Sequence, residues 1–211
     1  MELKQLELGP MANFVYLLAD SNTKECAVVD PAWDVPAILK AVKDNGWKLA
    51  QILVTHNHPD HINGIGELLH EADVPIHVHR DDAYALKEFK SNLKPSSGGD
   101  KIKLGNIDIA FLHTPGHTQG SQCFLFSDRL VSGDTLFIEG CGRVDLPTSD
   151  PEKMYQSLKK ISTLPDKTVL FPGHNYADAP CAPLKDEKQK NPYLRISASR
   201  GLNDFLTLVG M

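Results

Sequence analysis

Five times in this chain an apolar run stops at a polar turn, and this recurrence constrains the fold more than any other feature. The first case is Ile52-Leu53-Val54 running into Thr55-His56-Asn57-His58-Pro59-Asp60-His61. The others are Leu112-His113-Thr114-Pro115-Gly116-His117-Thr118, Val131-Ser132-Gly133-Asp134-Thr135, Leu136 to Arg143, and Phe171-Pro172-Gly173-His174-Asn175. Short apolar runs bounded by turn residues read as buried strands, and loops at the ends of strands are where convergent chemistry is built on a rigid scaffold. The first turn is the densest: three imidazoles and a carboxylate fall within six residues. Alternate residues of an extended or sharply turning backbone point the same way, so His56 and His58 can share one ion while Asp60 and His61 aim elsewhere.

The segments between these turns alternate in type. Leu3 to Leu8, Phe14 to Leu18 and Cys26 to Val29 read as a β-meander broken at Gly9-Pro10 and Asp20-Ser21-Asn22-Thr23. A helix through Ile38, Leu39 and Val42 follows, with Asp34 as its N-cap, Pro36 in its first turn and Asn45-Gly46 at its end. A short helix is expected over Glu67 to Glu71, a strand over Pro75 to His79, and a helix over Ala83 to Phe89 capped by Asp81-Asp82. Ser91 to Asp100 reads as a mobile loop. Strands are expected at Ile107 to Leu112, Gln122 to Phe126, Leu130 to Val131 and Thr168 to Phe171. Pro151 to Ile161 is a helix with Asp150 at its N-cap, and Pro192 to Leu208 supplies one or two closing helices after a polar stretch from Ala177. With no repeat and no low-complexity segment, the interleaving favours a single α/β domain over residues 1–211, a sandwich with helices outside two sheets.

Composition narrows the function classes. A net charge of −5 argues against nucleic acid and against a polybasic membrane patch. No apolar run approaches the roughly 18 residues of a spanning helix, and Met1 to Gln5 lacks a signal-peptide core. Cys26, Cys123, Cys141 and Cys181 are scattered without a C-x-x-C pair, so neither a disulfide framework nor a cysteine zinc site is indicated. A cytoplasmic protein is expected.

His117, Asp134 and His174 each stand in one of the later turns, beside Gly116, Gly133 and Gly173. Taken singly, each reads equally well as a satisfied loop histidine or a turn-capping aspartate. With the first turn they make five histidines and two aspartates, enough for two ions sharing a carboxylate. The set T-H-N-H-P-D-H, T-P-G-H-T, S-G-D-T-L-F and P-G-H resembles the metallo-β-lactamase superfamily. Gly133-Asp134-Thr135-Leu136-Phe137 followed by Gly140-Cys141-Gly142-Arg143 resembles its glyoxalase II-like (hydroxyacylglutathione hydrolase) branch, in a short form without the C-terminal helical domain. The resemblance implies an αββα sandwich, two mixed sheets with helices on the outer faces. It implies that His56, His58 and His117 hold a first metal, that Asp60, His61 and His174 hold a second, and that Asp134 bridges. The two divalent ions are expected to be zinc, with iron or manganese as alternatives. His77 and His79 are expected to be structural, His70 exposed, and His113 either an outer partner of a ligand or a plain strand-end histidine.

The implied activity is hydrolysis of a small-molecule thioester, such as S-D-lactoylglutathione or a related acyl thioester, by a hydroxide bridging the two ions, with Asp60 and Asp134 as catalytic carboxylates. A thiolate with a pKa near 8.5 leaves with little proton assistance, whereas an amine would need a donor that does not stand out here; thioesters are preferred over β-lactams on this ground. In this branch a basic residue after the Gly-Cys-Gly turn and a tyrosine after the last ligand histidine contact glutathione, which points to Arg143 and Tyr176 as substrate-binding residues. Arg143 is equally able to pair with Asp145 or Asp150. Lys188, Lys190 and Arg195 read either as partial substitutes for the missing domain or as a solvated tail. Two other readings stand beside the hydrolase. One is a persulfide dioxygenase holding a single iron on His56, His117 and Asp134, a two-histidine, one-carboxylate set suited to iron and O₂. The other is a non-catalytic binding module, against which the intact ligand set speaks.

Overall fold

A computed structural model describes residues 1–211. Strands β1 (Glu2–Leu8), β2 (Asn13–Ala19) and β3 (Glu25–Val29) form the expected antiparallel meander. Helix α1 (Val35–Asp44) then crosses over to β4 (Lys48–Leu53), which lies parallel to β3. Its start is fixed locally: the Asp34 carboxylate accepts from the Ala37 N–H at 2.9 Å, and Pro36 sits in the first turn. Short helices α2 (Pro59–Ile62) and α3 (Ile65–Glu71) lead to β5 (Ile76–His79), and β6 (Leu93–Ser96) closes this first sheet in the order β1-β2-β3-β4-β5-β6.

The second sheet begins with β7 (Lys101–Leu104), β8 (Ile107–His113), β9 (Gln122–Phe126) and β10 (Arg129–Gly133), all antiparallel. A two-stranded hairpin of β11 (Leu136–Phe137) and β12 (Gly140–Cys141) stands apart. Helix α4 (Pro151–Ser162), capped by Asp150 accepting from Lys153 N–H, returns the chain to β13 (Val169–Pro172), which runs parallel to β10. Strand β14 (Ala182–Pro183) pairs with β13, and α5 (Leu184–Lys190), α6 (Pro192–Ser199) and α7 (Leu202–Leu208) complete the chain. The second sheet therefore reads β14-β13-β10-β9-β8-β7, and both sheets are mixed.

Three apolar clusters show how the layers stack. Because strand side chains alternate between faces, β2 serves two of them. Phe14, Tyr16 and Leu18 point at Phe111, Phe124 and Val131 of the other sheet. Val15, Leu17 and Ala19 point at Ile38, Val42, Ile65 and Leu68 under α1 and α3. The third cluster joins Leu130 and Leu170 to Met154, Leu158, Leu194 and Phe205 of α4, α6 and α7. The result is the αββα sandwich expected from the resemblance. The buried hydroxyl of Tyr16 is satisfied across the sheets by donating to Pro172 O at 2.5 Å. No helix is long and apolar enough to cross a membrane.

Three local expectations change. Leu93–Ser96, read as part of a mobile loop, pairs parallel with β5. As an edge strand it turns Lys94 and Pro95 to solvent, which is why its sequence looks loop-like. Ala83–Phe89 is a 3₁₀ helix kinked at Leu86, not an α-helix, and the Asp82 side chain does not cap it. The buried Asp82 carboxylate instead accepts from Asn57 N–H (3.0 Å), Thr118 Oγ1 (2.7 Å) and Gly120 N–H (2.9 Å), tying two of the polar turns together. The polar stretch after Ala177 contains the further helix α5.

Candidate metal centre

The turns after β4, β8, β10 and β13 meet at one edge of the sandwich. His56 and His58 follow β4, His58 in extended conformation, and Pro59 opens α2 at the position where its missing N–H costs nothing. That helical turn redirects Asp60 and His61 away from the first pair. Two glycines make room for the approach of the other turns. A side chain at Gly133, held at φ +49°, would collide with Thr55, and one at Gly173 would strike the Asp134 carboxylate.

All seven residues expected as ligands converge. His56, His58 and His117 form one set and Asp60, His61 and His174 another. His117 Nε2 lies 2.9 Å from His58 Nδ1, and His61 Nε2 lies 3.2 Å from His174 Nε2. Asp134 stands between the sets: Oδ2 is 3.5 Å from His117 Nε2, 3.4 Å from His174 Nε2 and 4.0 Å from His56 Nε2, while Oδ1 is 3.4 Å from His61 Nε2. Asp60 Oδ2 is 3.5 Å from His61 Nε2 and 3.6 Å from His174 Nε2. Four atoms bound tetrahedrally at about 2.0–2.1 Å are spaced by roughly 3.3 Å, so these separations suit a shared cation. Two buried atoms, His56 Nε2 and Asp134 Oδ1, have no hydrogen-bond partner in the protein. A buried polar atom without a partner costs about 1–3 kcal/mol, and both atoms face this cluster.

The outer partners fix which nitrogen each ring presents. His117 Nδ1–H donates to Arg143 O and His174 Nδ1–H to Met11 O, both at 2.9 Å. His61 Nδ1–H donates to Asp30 Oδ2 at 3.0 Å. Thr55 Oγ1 donates to Asp30 Oδ2 at 2.5 Å and accepts from His56 Nδ1–H at 3.0 Å. In each case Nε2 is left facing the cluster, the nitrogen each ring would offer to an ion. Electrostatics agree. Burial holds His56 well below the usual imidazole range and pulls His58 down to about 4, so both are neutral and free to ligate. Burial opposes a charge on Asp134, but the surrounding imidazoles outweigh it and keep it ionised. His61 is also desolvated, yet Asp134 and Asp30 push it up to about 9. Positive charge is thus wanted where these carboxylates meet.

Of the two expected substrate contacts, Tyr176 lies at the centre's rim. Its ring stacks on His174 (4.7 Å, 10°) beside Phe137 and is 60% exposed. The Arg143 guanidinium instead forks onto Asp145 at 2.9 and 2.8 Å, and it is the Arg143 carbonyl that touches the site. His113 does not reach His117. It donates to Gln119 O and stacks on His79 at 3.8 Å and 10°. Asp81 completes a third histidine-carboxylate group there, but the in-plane lone pairs of two stacked rings run parallel and cannot converge on one ion. Sequence reasoning missed Asn13, Asp30, Trp33, Thr55 and Asp82; only the position of Asp30 at a strand end, in Asp30-Pro31, resembled the other turns.

The chain matches the metallo-beta-lactamase superfamily over residues 8–174. It is 30% identical over 196 residues to the "probable polyketide biosynthesis zinc-dependent hydrolase PksB" of Bacillus subtilis, covering 92% of this chain and 87% of that one. It is 38% identical over 167 residues to the hydroxyacylglutathione hydrolase of Cereibacter sphaeroides, covering 78% of this chain but 63% of that longer protein. The crystal structure of ETHE1 from Myxococcus xanthus superposes with a TM-score of 0.89 at 29% identity, covering 99% of this chain and 90% of that one. With the fold, the geometry of the candidate ligands and these likenesses in agreement, the chain belongs to the metallo-beta-lactamase superfamily.

Proposed function

We propose that this protein is a thioesterase that works with two divalent ions. The observation that carries the reading is the pair of three-residue sets on either side of Asp134, with His56 Nε2 and Asp134 Oδ1 unpartnered between them. His56, His58 and His117 would hold one ion, Asp60, His61 and His174 the other, and Asp134 would touch both. Zinc suits the imidazole-rich set, in keeping with the zinc-dependent relative. When bound, such ions lower the pKa of water from 15.7 toward about 7 and polarise an acyl carbonyl.

The protein's own groups then position the reaction. Asp60, part-exposed and held by Asn13, would orient the nucleophile at the open side of the centre. Tyr176 and Phe137 form one wall. Burial, Asp134 and Asp60 push the Tyr176 phenol up, so it keeps its proton, can donate a hydrogen bond to a bound acyl group, and is a poor acid for an amine. A thiolate leaving group needs no such acid, which supports thioesters over amides and lactams. Beyond Tyr176 opens a cavity of about 650 Å³ that also meets Phe137, Cys181 and Glu187, room enough for the thiol portion of a substrate. Its charged walls, Glu139, Asp178 and Asp186 against Lys190, favour a thiol with fewer carboxylates than glutathione.

The test is turnover of S-D-lactoylglutathione and of acyl-N-acetylcysteamine by zinc-loaded protein, with free thiol as the readout and Asp134→Ala as control. Release from either substrate, lost in the control, is expected; no turnover of any thioester would sink the proposal. The persulfide dioxygenase remains a second reading because His56, His117 and Asp134, which would hold its iron, do come together. One iron per chain, with oxygen uptake on a persulfide, would establish it instead.

A further inference from the structure

The two ligand sets are supported in different ways. Thr55 and the Arg143 carbonyl serve the first. The turn between β1 and β2 serves the second. His174 donates from Nδ1 to Met11 O, while Asn13 Nδ2 donates to both Asp60 Oδ2 (2.9 Å) and Asp60 O (3.0 Å). The same few residues bind the His174 turn through its backbone: Phe14 N–H donates to Gly173 O and Asn175 N–H to Ala12 O, each at 2.8 Å. No bond from this turn reaches His56, His58 or His117.

The Asn13 amide is itself oriented from outside. Trp33 Nε1–H, a group that can only donate, points at Asn13 Oδ1 at 2.9 Å. Asn13 is 1% exposed, so flipping it would bury two unmet contacts, at about 1–3 kcal/mol each. Its NH₂ must therefore face Asp60, which accepts both hydrogens. Trp33 is held in turn: its N–H donates to Asn63 Oδ1 at 2.8 Å and its ring covers Gly9, where any Cβ would collide with it. Both Trp33 (φ +67°) and Ala12 (φ +55°) occupy the left-handed region that costs a non-glycine residue about 1–2 kcal/mol. Strain of this kind persists where the surroundings over-determine it, commonly beside functional sites.

We infer that Asn13, locked by Trp33, is a positioning residue for the second ion alone, and that the Gly9–Asn13 turn decides whether the centre holds one ion or two. The inference rests on the two-ion reading above. Its physical content is that Asp60 and His174, two of the three ligands on one side, are aimed by a single turn, so loosening it weakens one site and spares the other.

The experiment is stepwise zinc titration against a competing chelator, with zinc per chain counted by elemental analysis, for wild type, Asn13→Asp and Trp33→Phe. Asn13→Asp keeps the acceptor for Trp33 but sets a carboxylate against Asp60. Trp33→Phe removes the donor and keeps an aromatic ring, smaller than the indole, over Gly9. Loss of an outer hydrogen bond to a ligand costs about 10–100-fold in metal affinity. Asn13→Asp is expected to weaken the second zinc by that factor and to leave the first within about threefold, with Trp33→Phe shifting the second in the same direction by less. Unchanged affinities for both ions, or equal weakening of both, would overturn the inference. A wild-type chain that never takes a second ion would remove the two-ion reading, and this inference with it.

Discussion

Replacing Asp30 by Asn tests how far the centre depends on groups that are not ligands. Asp30 accepts three hydrogen bonds: Thr55 N–H at 2.7 Å on Oδ1, and Thr55 Oγ1 at 2.5 Å with His61 Nδ1 at 3.0 Å on Oδ2. An asparagine must put its NH₂ at one of these ends. The backbone N–H of Thr55 cannot turn round, so the NH₂ settles toward His61. His61 Nδ1 must then accept, which moves its proton to Nε2, the atom 3.4 Å from Asp134 and 3.2 Å from His174. A ring protonated there has no lone pair for an ion. Thr55 Oγ1 loses its carboxylate acceptor at the same time, and with it the grip on His56. A hydrogen bond to a charged group is worth about 1.5–3 kcal/mol and a stranded buried donor costs about 1–3 kcal/mol, so ion-free stability should fall by about 3–5 kcal/mol. Zinc affinity should drop at least about 10–100-fold, at both sites, unlike the selective loss expected at Asn13. Urea unfolding in chelator measures the first quantity and chelator competition the second. A variant matching wild type in both would refute the argument that Asp30 sets the tautomer of His61.

Other perturbations probe separate links. Gly173→Ala places a methyl against the Asp134 carboxylate and within 3.1 Å of Gly133 O; displacement of Asp134 should cut turnover by about 100-fold or more, and normal kcat would mean the turn has slack. Tyr176→Ala should raise KM about tenfold if its exposed ring, stacked on His174, forms the substrate wall proposed above. Arg143→Ala, whose fork is engaged by the exposed Asp145, should change KM less than about threefold; the reverse ranking would return Arg143 to the substrate site. His77, edge-on to Phe111, is pulled down to about 4 by burial and Lys94. Its folded pKa lies below the unfolded 6.5, so stability is full above pH 6.5 and falls as pH drops toward 4. That gap is worth at most about 3 kcal/mol, and about half that for a ring partly in solvent. His77→Gln should flatten this part of the urea-midpoint profile, and an unchanged slope would show that His77 is solvated.

Much of this was legible in the chain because it is encoded locally. Strand ends are marked by apolar runs meeting Gly, Pro and Asp, helix starts by Asp34 and Asp150 followed by proline, and the candidate ligands by their place in those turns. Errors fell where local pattern and tertiary role diverge. Leu93–Ser96 looks like a loop because an edge strand has only one partner, and Asp82 looks like a helix cap because caps and tertiary anchors use the same carboxylate.

Residue type and spacing within each turn mark the strand ends and the candidate ion-holding side chains, while the family and the layers become legible only when the turns from Thr55 to His174 are taken together. How those side chains are aimed follows from contacts made far along the chain. Asp30 and His61 are 31 residues apart, Asn13 and Asp60 are 47, and Met11 and His174 are 163. A hydrogen bond closing a loop of that length leaves no periodicity behind in the chain. It exists because packing of the two sheets brings the turns to one edge, where an unpaired donor or acceptor would be costly and each imidazole is left one way to hold its proton.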